Sequence, residues 1–439
     1  MGNEPTSQTD QKLSLVGSVA LGTGVMIGAG IFALVGQVTE LAGGWMPWAF
    51  FVGAVVVAFS SYSYIRYSAT NPSSGGIAML LKGAYGPGVL AGSFSLFMYV
   101  SMILAESLLG RTFGTYLLRP FGMQESPVWV PVLAVAAITA AAVVNLVGNR
   151  LVDRSATVTT AIKIIGIAVL AVGGILAAGV SSLSRLFTVG DRFAPDSGWA
   201  GFLAGVALCI LAYKGFTTIT NQGADLRDPE RNIGRSILIS IGLCTVIYLL
   251  ITVAVTGSLT VPQIVESRDY ALAEAAEPLF GSWGVGLTVA IAVVATLSGL
   301  VASLYAVSRL YEMLRDMGQV PSLPGNPGHQ SLYITAGLAI VMATFFDLSQ
   351  IAALGAIFYL SMDIAIHLGI IRSLRTEVKA TAWIPAIAIV LDAAVLVPFV
   401  ALRVQSDPFT IVVTAVVAGI IFLVQWLVVS RRDRSDSSS

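Results

Sequence analysis

The stretch Gly22-Thr23-Gly24-Val25-Met26-Ile27-Gly28-Ala29-Gly30-Ile31-Phe32 decides the fold. It lies in an apolar run long enough to cross a membrane as a helix, yet it carries four glycines in nine residues. Each glycine weakens a helix by about 1 kcal/mol relative to alanine. A membrane helix that gives up backbone hydrogen bonds must line a cavity or be buried in protein. The pattern predicts an unwound segment at Ile27, Gly28, Ala29 and Gly30 that holds a ligand by its backbone. Close packing of helices through small residues is the structural alternative.

Working outward, the rest of the chain is equally apolar. Of its 439 residues, 56% are hydrophobic and only 11% charged, against about 25% charged in a soluble domain, and the mean hydropathy is +0.84. This is an all-α polytopic membrane protein whose surroundings are the lipid bilayer. Net charge is zero and no basic domain stands apart from the apolar runs, which excludes nucleic acid as an expected partner. Cys209 and Cys244 sit in apolar runs without a CxxC or histidine-rich neighbourhood, so they read as core residues and no metal or other cofactor is expected. No Ser-His-Asp order, HExxH or GxxxxGK[ST] occurs. An enzyme or an ATP-driven pump is therefore not expected.

Apolar runs of about 20 residues predict twelve spans, near 13–40, 45–67, 87–118, 127–147, 156–180, 199–223, 235–257, 283–312, 332–348, 350–373, 382–403 and 409–430. The longest polar insertions are 183–197 and 260–277, the second reading as a short surface helix broken by Pro262 and Pro278. With both termini cytoplasmic, 16 basic residues fall on the inner side and 6 on the outer, counted along the sequence. The positive-inside rule thus predicts cytoplasmic termini and an even number of spans, and the plasma or inner membrane is the expected location.

The sixth span repeats the oddity of the first. In Ala212-Tyr213-Lys214-Gly215-Phe216 a glycine adjoins a lysine at mid-membrane, followed by Thr220, Asn221 and Gln222. A second interruption is predicted there. Five spans separate the two breaks, so their helices run in opposite directions. Interrupted helices at corresponding places in two inverted halves point to a midplane binding site in a secondary transporter.

The stretch 24–32 resembles the first-span glycine motif of the amino acid-polyamine-organocation (APC) transporter superfamily. The run 211–237, with Asp228-Pro229-Glu230-Arg231-Asn232-Ile233-Gly234-Arg235, is similar to that superfamily's sixth span and following loop, and 308–321 resembles its loop after the eighth span. With 72–76 and Lys163 in place, the resemblance covers nearly the whole chain. It implies a five-plus-five inverted repeat of the LeuT-like type, in residues 13–180 and 199–373, with two additional helices in 382–430. Short tails would occupy 1–12 and 431–439, both cytoplasmic and the second disordered. By the same resemblance, amides of Ile27, Gly28, Ala29 and Gly30 would take a substrate carboxylate. Carbonyls at Tyr213, Lys214 and Gly215 would take its amine, which agrees with the attraction of helix ends for charge. Phe216 is the expected gate, with Phe32 second and Tyr99 weaker.

Lys163 lies mid-span and must face oxygen ligands, for which Ser298 and Ser303 are candidates. It matches a lysine that replaces sodium in proton-coupled and sodium-independent relatives, either titrating or standing as a fixed charge. Lys214 departs from the family pattern. Either it pairs with Glu106, since two isolated charges there would cost several kcal/mol each (about), or it touches an anionic substrate. Asp363 and His367, four residues apart on one helical face, read as a structural pair or a proton relay, with Asp392 as a further partner. The expected function is secondary transport of an amino acid or related amine, coupled to protons or exchanging. An inorganic ion or organic anion carrier and a non-transporting membrane sensor are the alternatives.

Overall fold

The computed structural model describes residues 12–72, 76–147, 149–179, 198–221, 223–320 and 327–436. The insertion expected at 183–197, most of the N-terminal tail, the end of the serine-rich tail, residues 73–75 of the 72–76 motif, Gln222, Pro321 and the side chain of Ala29 lie outside the described residues. In order, the α-helices are α1 (Leu15–Ala42), α2 (Met46–Thr70), α3 (Gly76–Tyr85), α4 (Val89–Leu118), α5 (Trp129–Val147), α6 (Asn149–Ala178), α7 (Gly198–Tyr213), α8 (Thr217–Thr220), α9 (Pro229–Ser258), α10 (Val261–Glu266), α11 (Ala271–Asp316), α12 (Pro327–Phe345), α13 (Leu348–Gly369), α14 (Trp383–Ser406) and α15 (Pro408–Asp436).

Local signals set several of these limits. Ser14 caps α1 by accepting the Gly17 amide at 3.1 Å. Asp347 with Gln350, and Thr260 with Gln263, form reciprocal capping boxes at the starts of α13 and α10, each satisfying orphan donors of the first turn. Pro262 sits in the first turn of α10, where its missing amide costs nothing. Pro278 does not end a helix as expected. The bend comes three residues later at Gly281, whose φ of 61° takes α11 out of helical geometry.

Among the described residues ten helices are long and apolar enough to cross a membrane, fewer than the twelve runs read from sequence. One of the ten runs from Gly30 through α2, and the part of α1 up to Gly28 is a shorter apolar helix. The larger correction concerns α1 itself. It is helical from Leu15 to Ala42, so the backbone is not opened at residues 27–30. The glycines are used for close approach instead. A Cβ on Gly28 would stand 3.2 Å from the Ala295 carbonyl, and one on Gly30 would stand 2.9 Å from both Ala212 O and Ala212 Cβ.

Burial ranks the helices. The best window of α7 is 94% buried and that of α15 only 17%, so α7 is the axis of the bundle and α15 faces lipid. α1 packs on α7, α9 and α11, and α2 on α9 and α7. Around this group stand α4, which packs on α13, α11 and α5, and α6, which packs on α9 and α11. Exposed Phe409, Val412, Val416 and Ile420 on α15 are what a lipid-facing helix requires.

Candidate functional site

The predicted break in the sixth span is present. α7 stops at Tyr213, a 3-10 turn covers Lys214–Phe216, and α8 follows. The cause is local. Thr217 donates to the Lys214 carbonyl at 2.9 Å, Thr218 to Gly215 at 2.7 Å and Thr220 to Thr217 at 2.7 Å. Threonine hydroxyls that take carbonyls one turn back compete with the helical ladder. Gly215 lies against α1, and an added Cβ would meet the Met26 amide nitrogen at 2.8 Å. The two stretches singled out in the sequence therefore touch backbone to backbone, which only glycine permits.

One hydroxyl ties them together. Tyr248 of α9 donates to Met26 O at 2.8 Å and to Ala212 O at 3.4 Å, and its ring is tilted on Tyr213 with centroids 5.0 Å apart. Sequence reasoning missed Tyr248. The available signal was a phenol in an otherwise aliphatic run, Val246-Ile247-Tyr248-Leu249-Leu250. Tyr213 donates in turn to Phe50 O at 3.3 Å. Phe216 is fully buried and meets the Tyr64 ring edge-on at 5.2 Å. Phe32 meets Tyr116 edge-on at 5.5 Å, and Ile27 is fully buried beside them in the core.

Lys163 is buried and donates to the Gly24 carbonyl at 3.1 Å, so it bonds α1 as a cation at this depth must. Ser298 and Ser303 are not its acceptors. Ser298 donates to Val294 O at 2.7 Å in its own helix, and Ser303 donates to Glu106 Oε1 at 3.3 Å. The expected ion pair of Lys214 with Glu106 is not formed either. Lys214 donates to Ser101 O at 2.6 Å and Ser101 Oγ at 2.8 Å, and its ammonium lies 5.7 Å from the centroid of the Tyr359 ring. Ser101 precedes Glu106 by five residues on α4, about 7 Å along a helix axis, and the nearer oxygens win. Tyr99 bonds Thr335 at 3.0 Å across α4 and α12 and takes no part in the break.

Tertiary contacts hold both ends of α1. At one end the segment before α11 lies on α1: Gln37 donates to Asp269 Oδ1 at 2.6 Å, and Arg268 pairs with Glu40 at 2.6 Å. Burial pushes the Asp269 carboxyl up to about 6, against the lowering influence of Arg268. At the other end Leu13 pairs with Leu226 in a parallel bridge that joins the start of α1 to the start of α9, with Leu13 N donating to Asp225 O at 2.7 Å and Arg227 N donating to Leu13 O at 3.0 Å. Arg66 donates to the carbonyls of Val378 at 3.0 Å and Lys379 at 2.5 Å. An apolar cavity of about 30 Å³ lies elsewhere, between α6, α9 and α11, lined by Ile167, Ile251 and Phe280. Asp363, His367 and Asp392 meet between α13 and α14, all fully buried.

A family model described as "Amino acid permease" matches residues 13–430. The inner membrane transport protein YbaT of Escherichia coli is 28% identical over 408 residues, covering 91% of this chain and 92% of that protein. The serine/threonine exchanger SteT of Bacillus subtilis is 25% identical over 305 residues, covering 68% and 67%. A solved structure of a mutant manganese transporter from Eremococcus coleocola superposes with a TM-score of 0.64 at 10% identity, covering 97% of this chain and 95% of that one. That likeness bears on the fold alone, an all-helical inverted-repeat transporter bundle with a broken sixth helix. With the match running over nearly its whole length, the chain belongs to the amino acid permease family.

Proposed function

We propose that this chain is a secondary active transporter of an amino acid or related amine, working by alternating access without sodium and either coupled to protons or exchanging. The observation that carries the reading is the convergence of Met26 O on α1 and Ala212 O on α7 upon a single hydroxyl, that of Tyr248, in a buried centre. Carbonyls from two helices that meet at one donor form a cation site once the donor turns away, and an α-ammonium is the cation of matching size and hydrogen-bond capacity. The carbonyls of Lys214 and Gly215, now taken by Thr217 and Thr218, extend that set.

In this proposal the substrate carboxylate is held by amides at Ile27, Gly28, Ala29 and Gly30. Their helical hydrogen bonds must open first, and glycine makes opening cheapest there. Phe216 closes the centre, with Phe32 on its other side. Lys163, bonded to the Gly24 carbonyl, places a fixed or titrating positive charge where a sodium ion would otherwise organise α1. Repeats at 13–180 and 199–373 would rock against each other, with both termini in the cytoplasm of a plasma or inner membrane. That one relative is named a serine/threonine exchanger supports this substrate class.

The test is counterflow in sodium-free proteoliposomes preloaded with single unlabelled amino acids. Uptake of at least one labelled amino acid is expected, and Tyr248→Phe should change its KM more than the folding of the protein. Absence of flux for every amino acid and amine, from protein that remains monodisperse, would overturn the reading.

A further inference from the structure

We propose that Asp363, His367 and Asp392 form a proton-binding centre separate from Lys163, in which Asp392 takes up and releases the exchangeable proton. The geometry fixes the roles. Both oxygens of Asp363 accept hydrogen bonds, from Ser60 Oγ at 2.6 Å and from the Tyr64 hydroxyl at 2.5 Å, a donor set that suits an ionised carboxylate. His367 Nδ1 is 2.8 Å from Ser63 Oγ, while its Nε2 stands 3.4 Å from Asp363 Oδ1 and 3.6 Å from Asp392 Oδ2. Among the described residues neither oxygen of Asp392 has a hydrogen-bond partner, and the residue is fully buried.

With Asp363 ionised, only one arrangement of the trio is neutral. Two ionised carboxylates around an uncharged imidazole would place two negative charges in the bundle interior, with Asp392 lacking any donor. Such a burial costs several kcal/mol (about) per uncompensated charge. An imidazolium at His367 balances Asp363, and a proton on Asp392 neutralises the remaining carboxylate: the carboxylate takes one proton from solvent to become the acid, and returns it on release. The other titratable groups facing the trio are Tyr64 on α2 and Tyr359 on α13, one turn before Asp363, with Lys214 over the Tyr359 ring. From α7, which packs on α14, the ionisable residues are Cys209 and Tyr213.

The centre is wired to the broken helix. All three hydroxyls on Asp363 and His367 come from one face of α2, at Ser60, Ser63 and Tyr64, and the Tyr64 ring meets Phe216. A shift of α2 or of the turn Lys214–Phe216 strips donors from Asp363 and forces the trio to redistribute its protons. This coupling rests on the transport reading proposed above; the proton site itself does not.

Difference infrared spectroscopy of the full-length protein in lipid provides the test. The wild type minus Asp392→Asn spectrum at neutral pH should contain the C=O stretch of a protonated carboxyl, shifting in D₂O, and the His367→Gln variant should move that band. An ionised-carboxylate difference instead of the C=O band overturns the proposal, as does a stoichiometric divalent metal found by elemental analysis of protein purified without chelator. If Asp392→Asn does not fold, titrating the wild type must raise an ionised-carboxylate signal at the loss of a C=O band, and a flat titration is equally fatal. In proteoliposomes Asp392→Asn should lose accumulation driven by a pH gradient while counterflow continues. A band without flux in the wild type would spare the proton site and reject the transport reading.

Discussion

Gly36→Ala should open the end of the bundle that carries Arg268 and Asp269, the outer end in the proposed orientation. Gly36 faces the backbone of Arg268, and an added Cβ would stand 2.2 Å from its carbonyl oxygen, 2.3 Å from its Cα and 2.5 Å from its carbonyl carbon. Ordinary contact begins near 3.4 Å, so the segment must retreat by about 1.2 Å. Gln37–Asp269 and Arg268–Glu40, each at 2.6 Å, would both stretch beyond hydrogen-bond length. A buried or half-buried hydrogen bond contributes about 1 kcal/mol net, and a half-exposed ion pair about 0.2–1 kcal/mol. Their combined loss, about 1–2 kcal/mol, changes the ratio of closed to open forms roughly 5- to 30-fold. The assay is labelling of Phe32→Cys by a membrane-impermeant maleimide, in a background where the buried Cys209 and Cys244 are replaced. Gly36→Ala should accelerate labelling by that factor, whereas Gly242→Ala, where a Cβ meets nothing within 4 Å, should not. Equal labelling rates for Gly36→Ala and its parent, both folded, would refute the reasoning.

Three further outcomes are expected. Because burial raises the Asp269 carboxyl to about 6, the closed form binds a proton more tightly than the open one; closure should strengthen as pH falls from about 6 towards the ordinary aspartate range and be lost as pH rises through 6. Phe32→Cys labelling should track this change, and Asp269→Asn, assayed at each pH, should abolish it. Lys163→Ala should eliminate accumulation driven by a pH gradient while leaving the protein folded, since it removes the ammonium on the Gly24 carbonyl; unchanged accumulation would refute a coupling role. In thermal unfolding, Lys214→Met and Ser101→Ala should be non-additive by about 0.5–3 kcal/mol, because the pair is in direct contact, whereas Lys214→Met with Glu106→Gln should be closer to additive.

The parts of this fold that were legible in the sequence are those caused by near neighbours. The turn at Lys214–Phe216 follows from Gly215 and from Thr217 and Thr218 bonding carbonyls three residues back, all within one short stretch. Ser298 was misjudged for the same reason: in a helix its hydroxyl finds Val294 O at 2.7 Å before any distant lysine. Charge complementarity suggested that Lys214 and Glu106 were neighbours. It carried no information on reach, and Ser101 offers two oxygens within 2.8 Å.

The glycines of α1 are the instructive case, because one local pattern served two readings whose difference is tertiary. Gly28 and Gly30 allow Ala295 O and Ala212 O to approach within 3.2 and 2.9 Å of a hypothetical Cβ, which is a packing role. The same residues lower the cost of breaking the helix by about 1 kcal/mol each. A helix packed through glycines is therefore also the helix that opens most cheaply at those glycines. If the proposed site forms by opening α1 at residues 27–30, the Tyr248 hydroxyl on Met26 O favours the continuous helix against it. Removing that hydroxyl would then shift the balance toward the opened helix, freeing amides for an anion and leaving the Met26 and Ala212 carbonyls for a cation. The close contact and the proposed binding site would be two uses of one sequence.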